Sequence, residues 1–244
     1  MTHNPGFAGE FWLDSPSAIL DYLRLRPAAV KKILCTKVSI RKYDCLPRKY
    51  PDWSGELSFT LEGNKEKIKA LIQLQTLAEH EFIDAIENSP PQLLVALDEV
   101  TDPRNLGAIV RTAGYYGVPY IIVKSKRQVL LTDASVATSQ AGFAVTNLVT
   151  VVNLSRTLER LKKMDYWALG TNLTGESIDK ITGEYEKKVL VLGSEDKGLR
   201  KNIQKTCDRL LTIPSNFPGI QSLNVSVAAG IAIEKMVKPV NTQR

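Results

Sequence analysis

The hydrophobic pattern of the chain changes at about residue 91. Beyond that point, short apolar runs alternate with segments in which apolar residues recur every three or four positions. The apolar runs lie at 93–100, 120–123, 145–152, 166–172, 188–195 and 209–214, and the helical patterns at 105–117, 132–140, 154–164, 199–206 and 223–238. Apolar strands that alternate with helices predict an α/β domain with a parallel sheet covered on both faces.

The first 90 residues are less regular. The predicted elements are a helix at 15–25, a short apolar segment at 30–34, a loop at 44–56, a strand at 57–61 and a long helix at 65–87. The Ser-Pro-Pro sequence at 89–91 ends the long helix, because the residue before a proline avoids helical backbone angles. We therefore expect two domains, 1–90 and 91–244.

The composition permits a folded core, since hydrophobic residues make up 43% of the 244 residues. No apolar run approaches the ~20 residues of a membrane span, and the N-terminal sequence lacks a basic-then-apolar signal pattern. We expect a cytoplasmic protein without a membrane segment. Cys35, Cys45 and Cys207, with two histidines in the chain, fit neither a zinc site nor a redox pair, so we expect no metal.

Positive charge is concentrated in the first 50 residues. The net charge of the chain is +6, and nine basic residues lie between Arg24 and Lys49 against one acid, Asp44. Such a run is typical of a surface that binds phosphates, and it is equally typical of a solvated basic face. The candidate phosphate-contacting residues are Arg24, Arg26, Lys31, Lys32, Arg41 and Lys42.

Three polar segments follow predicted strands of the second domain, where parallel sheets collect their ligands. The first, 98–113, carries Asn105 at a helix start and Arg111 further along the same helix. The second is Gly-Ser-Glu-Asp-Lys-Gly-Leu at 193–199, and the third runs from Ile-Pro at 213–214 to Ser-Leu-Asn-Val-Ser-Val-Ala at 222–228. Neither a G-x-G-x-x-G fingerprint nor a phosphate loop is present, which disfavours a Rossmann-type methyltransferase or a nucleotide hydrolase.

Taken in order, the three segments resemble the signature motifs of the SpoU (TrmH-like) family of RNA 2′-O-methyltransferases, in the SPOUT superfamily. The first family motif is N-x-G-x-x-x-R-T-A, matched by Asn105, Gly107, Arg111, Thr112 and Ala113. The second is G-x-E-x-x-G-L, matched by Gly193, Glu195, Gly198 and Leu199, and the third is matched by 222–228. The resemblance covers about 91–238.

This resemblance implies a parallel sheet tied into a trefoil knot and a bent S-adenosylmethionine held mainly by backbone groups. The matching cofactor positions are Thr171, Gly193, Ile213 and Leu223. It also implies a homodimer formed through the knotted domain, with the helix at 223–238 at the interface. The implied reaction transfers a methyl group from the cofactor to a ribose 2′-hydroxyl of RNA.

The resemblance assigns the catalytic region to Arg111, with Asn105, Glu195, Ser222 and Asn224 orienting Arg111, the substrate or the loops. Because arginine keeps its proton at ordinary pH, we interpret Arg111 as a group that stabilises a developing alkoxide or clamps a phosphate. Structural alternatives remain open for the others. Glu195 is also suited to a helix N-terminus, and Ser222 and Asn224 to capping the last helix.

The sequence departs from the family pattern at three places. Asp196 stands where glycine is usual, Ala144 stands where an acid is usual, and the segment between Ile213 and Ser222 is one residue longer. These departures leave substrate choice open. They also keep a second hypothesis open, a non-catalytic RNA-binding homologue of the same fold.

Residues 15–90 lie where relatives carry an L30e-like RNA-binding domain. Pro27, Val30 and Leu34 resemble its P-x-x-V-x-x-L opening, and the basic run fits a surface that positions RNA phosphates. This domain type favours ribosomal RNA over transfer RNA, with a guanosine as one candidate acceptor. A transfer RNA 2′-O-methyltransferase is the alternative.

Overall fold

A computed structural model describes residues 7–125, 131–180, 185–217, 219 and 222–237. The strands are β1 Ala8–Leu13, β2 Val30–Thr36, β3 Glu56–Leu61, β4 Ile68–Gln75, β5 Leu77–Ala78, β6 Leu93–Asp98, β7 Tyr120–Lys124, β8 Asn147–Val151, β9 Trp167–Ser177, β10 Lys188–Gly193 and β11 Arg209–Thr212. The helices are α1 Pro16–Leu25, α2 Ile40–Tyr43, α3 Leu46–Lys49, α4 Glu79–Asn88, α5 Pro103–Tyr115, α6 Asp133–Ser139, α7 Gly142–Val145, α8 Leu154–Lys162, α9 Lys201–Thr206 and α10 Val225–Met236. The expected end of the last helix at 238–239 lies outside the described residues.

The larger sheet has seven strands in the order β11-β9-β10-β6-β7-β8-β5, and each pair of neighbours is parallel. The central strands β6 and β10 are buried at every residue, as expected for a sheet that helices cover on both faces. The prediction of an α/β domain with a parallel sheet is confirmed.

The smaller sheet has four strands in the order β1-β4-β2-β3. Strand β4 runs antiparallel to both β1 and β2, whereas β2 and β3 are parallel. Burial alternates along β4, so one face of this sheet packs on α1 while the other faces solvent. The predicted helix at 15–25 and strand at 57–61 are confirmed.

The long helix predicted for 65–87 is wrong. That segment forms β4, β5 and α4 instead. Ile68, Ile72 and Leu74 fit helical spacing, but they also share one face of a strand, and pairing with β1 and β2 decides for the strand. The predicted loop at 44–56 contains the short helix α3.

The two sheets share one hydrophobic core. The chain passes from β4 to β5, which adds to the edge of the larger sheet beside β8, with only Thr76 between them. Buried residues of the smaller sheet, such as Phe11 and Ile33, belong to the same cluster as Val136 and Phe143 of α6 and α7. The smaller sheet is therefore fixed against the helices that flank α5, which carries the first motif.

Candidate functional site

A cavity of about 610 Å³ opens at the carboxyl ends of β9, β10 and β11. These three strands are neighbours in the sheet and parallel, so the loops that leave them meet at one edge. The cavity is lined by three loops and the first turn of α10, within the segments 171–178, 192–199, 211–215 and 222–228, and by Gln204 of α9. These segments include the second and third sequence motifs.

The first wall of the cavity is a bulge in β9. Leu210 of β11 pairs with Gly170, but the next residue, Leu211, pairs with Glu176, so the residues between them arch out of the sheet. Glycine is required at position 175, because a Cβ there would lie 2.4 Å from the Leu210 carbonyl oxygen. The Thr171 hydroxyl donates to the carbonyl of Val191 at 3.3 Å and ties the bulge to β10.

The second wall is the loop at 193–199, and each of its two motif glycines is required for a different structural reason. A Cβ at Gly193 would lie 2.1 Å from the carbonyl carbon of Gly198 and 2.3 Å from the amide nitrogen of Leu199. Gly198 has φ +61°, a left-handed conformation that favours glycine. The spacing between the glycines therefore closes a tight backbone loop at the end of β10.

An ion pair that the sequence analysis missed holds this loop. Asp98, fully buried at the end of β6, accepts hydrogen bonds from the backbone N–H of Arg200 at 3.0 Å and from its Nη2 at 2.5 Å and Nε at 2.9 Å. The hydrogen bonds to Asp98 raise the pKa of the Arg200 guanidinium. The pair joins the second motif to the strand that leads into the first. In the sequence, the only indication of this ion pair is that an acidic residue, Asp98, ends an apolar strand.

The third wall joins all three motifs through Asn224, the N-cap of α10. Its side-chain oxygen accepts from the Ser226 backbone N–H at 2.9 Å, and its amide nitrogen donates to Asn105 Oδ1 at 3.2 Å and to the Glu195 carboxylate. Glu195 also accepts from the Val225 N–H at 3.3 Å. The capping alternative is thus correct for Asn224, and Glu195 does lie at a helix N-terminus. The same contacts connect the motifs.

The predicted residues fall into two groups. Thr171, Gly193, Ile213 and Leu223 all line the cavity, as does the exposed Ser222. Arg111 lies apart from them. It is exposed on α5 and does not line the cavity, and in the described part of the chain it makes no ion pair or side-chain hydrogen bond.

The first motif positions α5 by close helix packing. A Cβ at Gly107 would lie 2.5 Å from the carbonyl oxygen of Ser135 in α6, and a Cβ at Gly142 would lie 3.0 Å from the Cα of Arg111. These two glycines let α5 approach α6 and α7 closely. Asn105 is buried in this arrangement, whereas Arg111 points away from the core.

Two of the three residues or segments at which the sequence departs from the family pattern differ in burial. Asp196 is exposed and lines the cavity, whereas Ala144 is buried in α7. Among the described residues there is no group of three metal-binding side chains. Burial raises the pKa of the Cys207 thiol to about 12, so this cysteine is not a nucleophile at neutral pH.

Most of the basic residues predicted to contact phosphates lie on the surface of the part of the chain that forms the smaller sheet. Arg24, Lys31, Arg41 and Lys42 are exposed, and the half-buried Lys32 pairs with Glu56 at 3.1 Å. Arg26 differs from these five residues. Its Nη1 donates to the carbonyl of Phe143 in α7 at 3.1 Å, which ties the end of α1 to α7.

The fold and the cavity define an α/β protein with a ligand site at the carboxyl ends of parallel strands. The sequence profile of the SpoU rRNA Methylase family matches residues 92–234, more than half of the chain. The chain belongs to this family. The resemblance expected from the three motifs is confirmed.

Several curated proteins are similar to this chain. The 23S rRNA (guanosine-2′-O-)-methyltransferase RlmB of Neisseria meningitidis is 40% identical over 62% of this chain and 61% of that protein. Uncharacterized tRNA/rRNA methyltransferases are 29% identical in Borreliella burgdorferi, over 88% of this chain and 91% of that protein, and 37% identical in Mycolicibacterium gilvum, over 64% and 49%. The chain thus spans about half to two thirds of the length of several relatives that it matches.

Solved structures match nearly the whole chain. The SpoU methyltransferase AviRb of Streptomyces viridochromogenes, solved with AdoMet, has a TM-score of 0.72 at 19% identity and covers 94% of this chain and 89% of its own. An rRNA methyltransferase of Sinorhizobium meliloti has a TM-score of 0.72 at 21% identity, with 93% and 86% covered. At these identities the likeness establishes the fold.

Among the described residues, no helix combines the length and the apolarity that crossing a membrane requires.

Proposed function

We propose that this chain transfers a methyl group from S-adenosylmethionine to a ribose 2′-hydroxyl of RNA, with ribosomal RNA as the substrate. The observation that carries the proposal is the convergence of Thr171, Gly193, Ile213 and Leu223 on one cavity. That cavity lies beside the contacts that join Asn105, Glu195 and Asn224. The similarity to an RlmB named as a 23S rRNA guanosine-2′-O-methyltransferase supports the activity and the substrate.

The cavity suits the proposed cofactor in size and in chemistry. Its volume of about 610 Å³ falls within the ~300–1,000 Å³ that small-molecule sites occupy. Leu211 and Ile213 offer apolar surface for a purine ring, and the carboxylates of Glu195 and Asp196 offer negative charge to a cationic ligand. The fit of AviRb, solved with AdoMet, to 94% of the chain supports the assignment.

When bound, S-adenosylmethionine supplies a methyl group that its sulfonium already activates, so the chain's own task is alignment and charge stabilisation. The Asn105, Glu195 and Asn224 contacts hold the start of α5, the loop at 193–199 and the start of α10 together. In this proposal the Arg111 guanidinium stabilises the developing alkoxide or clamps a neighbouring phosphate, since it does not release its proton. The hydroxyl proton leaves late, to solvent.

The finer features of the fold belong to the same proposal. We propose that the segment around the cavity forms the trefoil knot, which is supported by the contact of the loop at 193–199 with the start of α10. The smaller sheet forms an L30e-like RNA-binding domain. We also propose a domain boundary at Thr76 instead of the expected residue 90, which is supported by the pairing of β5 with β8 and the packing of α4 in the larger sheet's core.

A homodimer formed through α10 completes the proposal. Helix α10 is apolar on almost every side, which is typical of a helix buried on more than one face. One side packs on α5 and β10, yet Val227 is 50% exposed, and Tyr115 at the end of α5 is 84% exposed. Sedimentation of a Val227→Asp variant as a monomer, against a dimeric native protein, is the expected result. A native monomer would refute the dimer.

The substrate is tested by mapping 2′-O-methyl marks in ribosomal and transfer RNA of a strain that lacks the gene. We expect one ribosomal position to lose its mark and to regain it when the native gene is restored. A transfer RNA position that behaves in this way would replace ribosomal RNA as the substrate. Unchanged marks, together with no cofactor binding by calorimetry, would instead support a non-catalytic RNA-binding protein.

A further inference from the structure

An exposed aromatic side chain follows one of the loops that line the cavity. Phe217 is 63% exposed, and it lies two residues after Ser215, which lines the cavity. It belongs to the segment between Ile213 and Ser222 in which the sequence departs from the family pattern. A single exposed phenylalanine is unremarkable on a protein surface, so its surroundings decide whether it has a role.

The hydroxyl of Ser215 holds the backbone of Phe217 in place. The Ser215 hydroxyl donates to the Phe217 carbonyl at 2.9 Å and accepts from the Phe217 N–H at 3.2 Å. Gly219 lies against the ring, where a Cβ would be 2.4 Å from Phe217 Cε1. The ring is therefore positioned before any ligand arrives, which lowers the entropy cost of a contact.

Two other exposed apolar side chains lie at the rim of the cavity itself. Leu173 comes from the bulge in β9 and Leu223 from the loop before α10, and both line the same cavity. Two loops of the cavity thus carry exposed apolar side chains, and the third carries Phe217 two residues beyond its lining. Lys197 of the loop at 193–199 lies on the same lining and offers a positive charge to a phosphate beside the apolar side chains.

We infer that Phe217 stacks on the base of the acceptor nucleotide and so positions its ribose at the cavity. The inference rests on the proposed function, because a 2′-hydroxyl that reaches a methyl group in the cavity brings its own base to the rim. A phenyl ring binds a base through its π-face, which tolerates any base identity. The base must be unstacked from its RNA neighbours to make this contact.

The test compares Phe217→Leu, which keeps apolar bulk but removes the ring, with Phe217→Tyr and Phe217→Trp, which keep a ring. Methylation is measured on a short transcript that covers the mapped position. We expect Phe217→Leu to raise the KM for RNA about tenfold, with an unchanged Kd for S-adenosylmethionine, and the two aromatic variants to stay near native values. Trp167→Leu, which removes an exposed aromatic ring at the amino-terminal end of β9, away from the cavity, is the matched control.

A transcript with an abasic acceptor nucleotide, which keeps the ribose hydroxyl, sharpens the test. On this transcript the KM of the native protein should rise by about the same factor as the Phe217→Leu substitution causes. The KM of Phe217→Leu itself should rise hardly any further. Equal KM values for Phe217→Leu and Trp167→Leu would overturn the inference. A monomeric Phe217→Leu protein, or one with weakened cofactor binding, would also overturn it and assign the ring to the dimer or the cofactor.

The failure of the proposed function would look different. In that case the native protein methylates no RNA, and fluorescence anisotropy with a labelled single-stranded RNA replaces the methylation assay. Weaker RNA binding by Phe217→Leu alone would then support stacking, and unchanged binding would refute it.

Discussion

Replacement of Asp98 by asparagine tests whether the ion pair beneath the second motif organises the cavity. Asp98 is fully buried, and its carboxylate receives the backbone N–H and the guanidinium of Arg200. Asparagine keeps the size of the side chain but removes the charge and turns one acceptor into a donor that faces the guanidinium. Arg200 directly follows the loop at 193–199, so the loop then loses its ion pair with the end of β6.

The magnitude follows from burial. Loss of one partner of a buried ion pair costs about 3–5 kcal/mol, because the other charge is left without a partner. Arg200 is 32% exposed and has Glu99 at 3.5 Å, so water and a second carboxylate offset part of that loss. We therefore expect the free energy of unfolding to fall by about 2 kcal/mol, which lies below that range. A loosened loop should also raise the Kd for S-adenosylmethionine about tenfold, or about 1.4 kcal/mol.

Urea unfolding and titration calorimetry measure these two quantities on the same preparation. Glu66→Gln is the control, since it makes the same type of change at an exposed ion pair, with Lys42 at 2.9 Å, and should cost less than about 1 kcal/mol. If Asp98→Asn matches the control in stability and binds the cofactor with native affinity, the pair does not organise the cavity.

Three further predictions follow from the site. Gly193→Ala should weaken cofactor binding in calorimetry at least tenfold, because its Cβ meets backbone atoms at 2.1 and 2.3 Å. Gly230→Ala is the control and should bind the cofactor normally, since the nearest atom to its Cβ is 3.8 Å away. Arg111→Lys should lower kcat in a methylation assay with an unchanged Kd for the cofactor, while the kcat of Arg104→Lys, on the same helix, stays near the native value. Near-normal turnover of Arg111→Lys would contradict a role for the guanidinium fork. Burial raises the pKa of Cys207 to about 12 and of Cys35 to about 11, so the folded state keeps protons that the unfolded chain releases near its usual thiol pKa of 9.0. Stability should therefore be fully present below pH 9 and fall as the pH rises toward 12, and Cys207→Ala should flatten that fall in urea titrations; an equal slope would refute it.

The sequence predicted the larger sheet well because its strands carry their own signal. Buried parallel strands such as β6 and β10 consist of unbroken apolar runs, and the helices between them have helical periodicity. The motif residues Asn105, Glu195 and Asn224 could be assigned to one site because they follow strands or begin helices at the same edge of the sheet.

The failed predictions depend on contacts between distant parts of the chain. The segment at 65–87 has spacing that suits both a helix and a strand, and only its partners β1 and β2 decide between them. The bulge in β9 arises from the register with β11, and Asp98 lies 102 residues from its partner Arg200. Local periodicity contains no information on such pairings.

The most direct test of the account is the product of the reaction. The purified protein is incubated with S-adenosylmethionine labelled at its methyl group and with ribosomal RNA from the strain that lacks the gene, and the digested nucleosides are separated by mass spectrometry. We expect the label to reside in one 2′-O-methylnucleoside, and Gly193→Ala to incorporate much less of it at the same cofactor concentration. Label on a base, or no label from a protein that binds the cofactor, would contradict ribose methylation at this cavity.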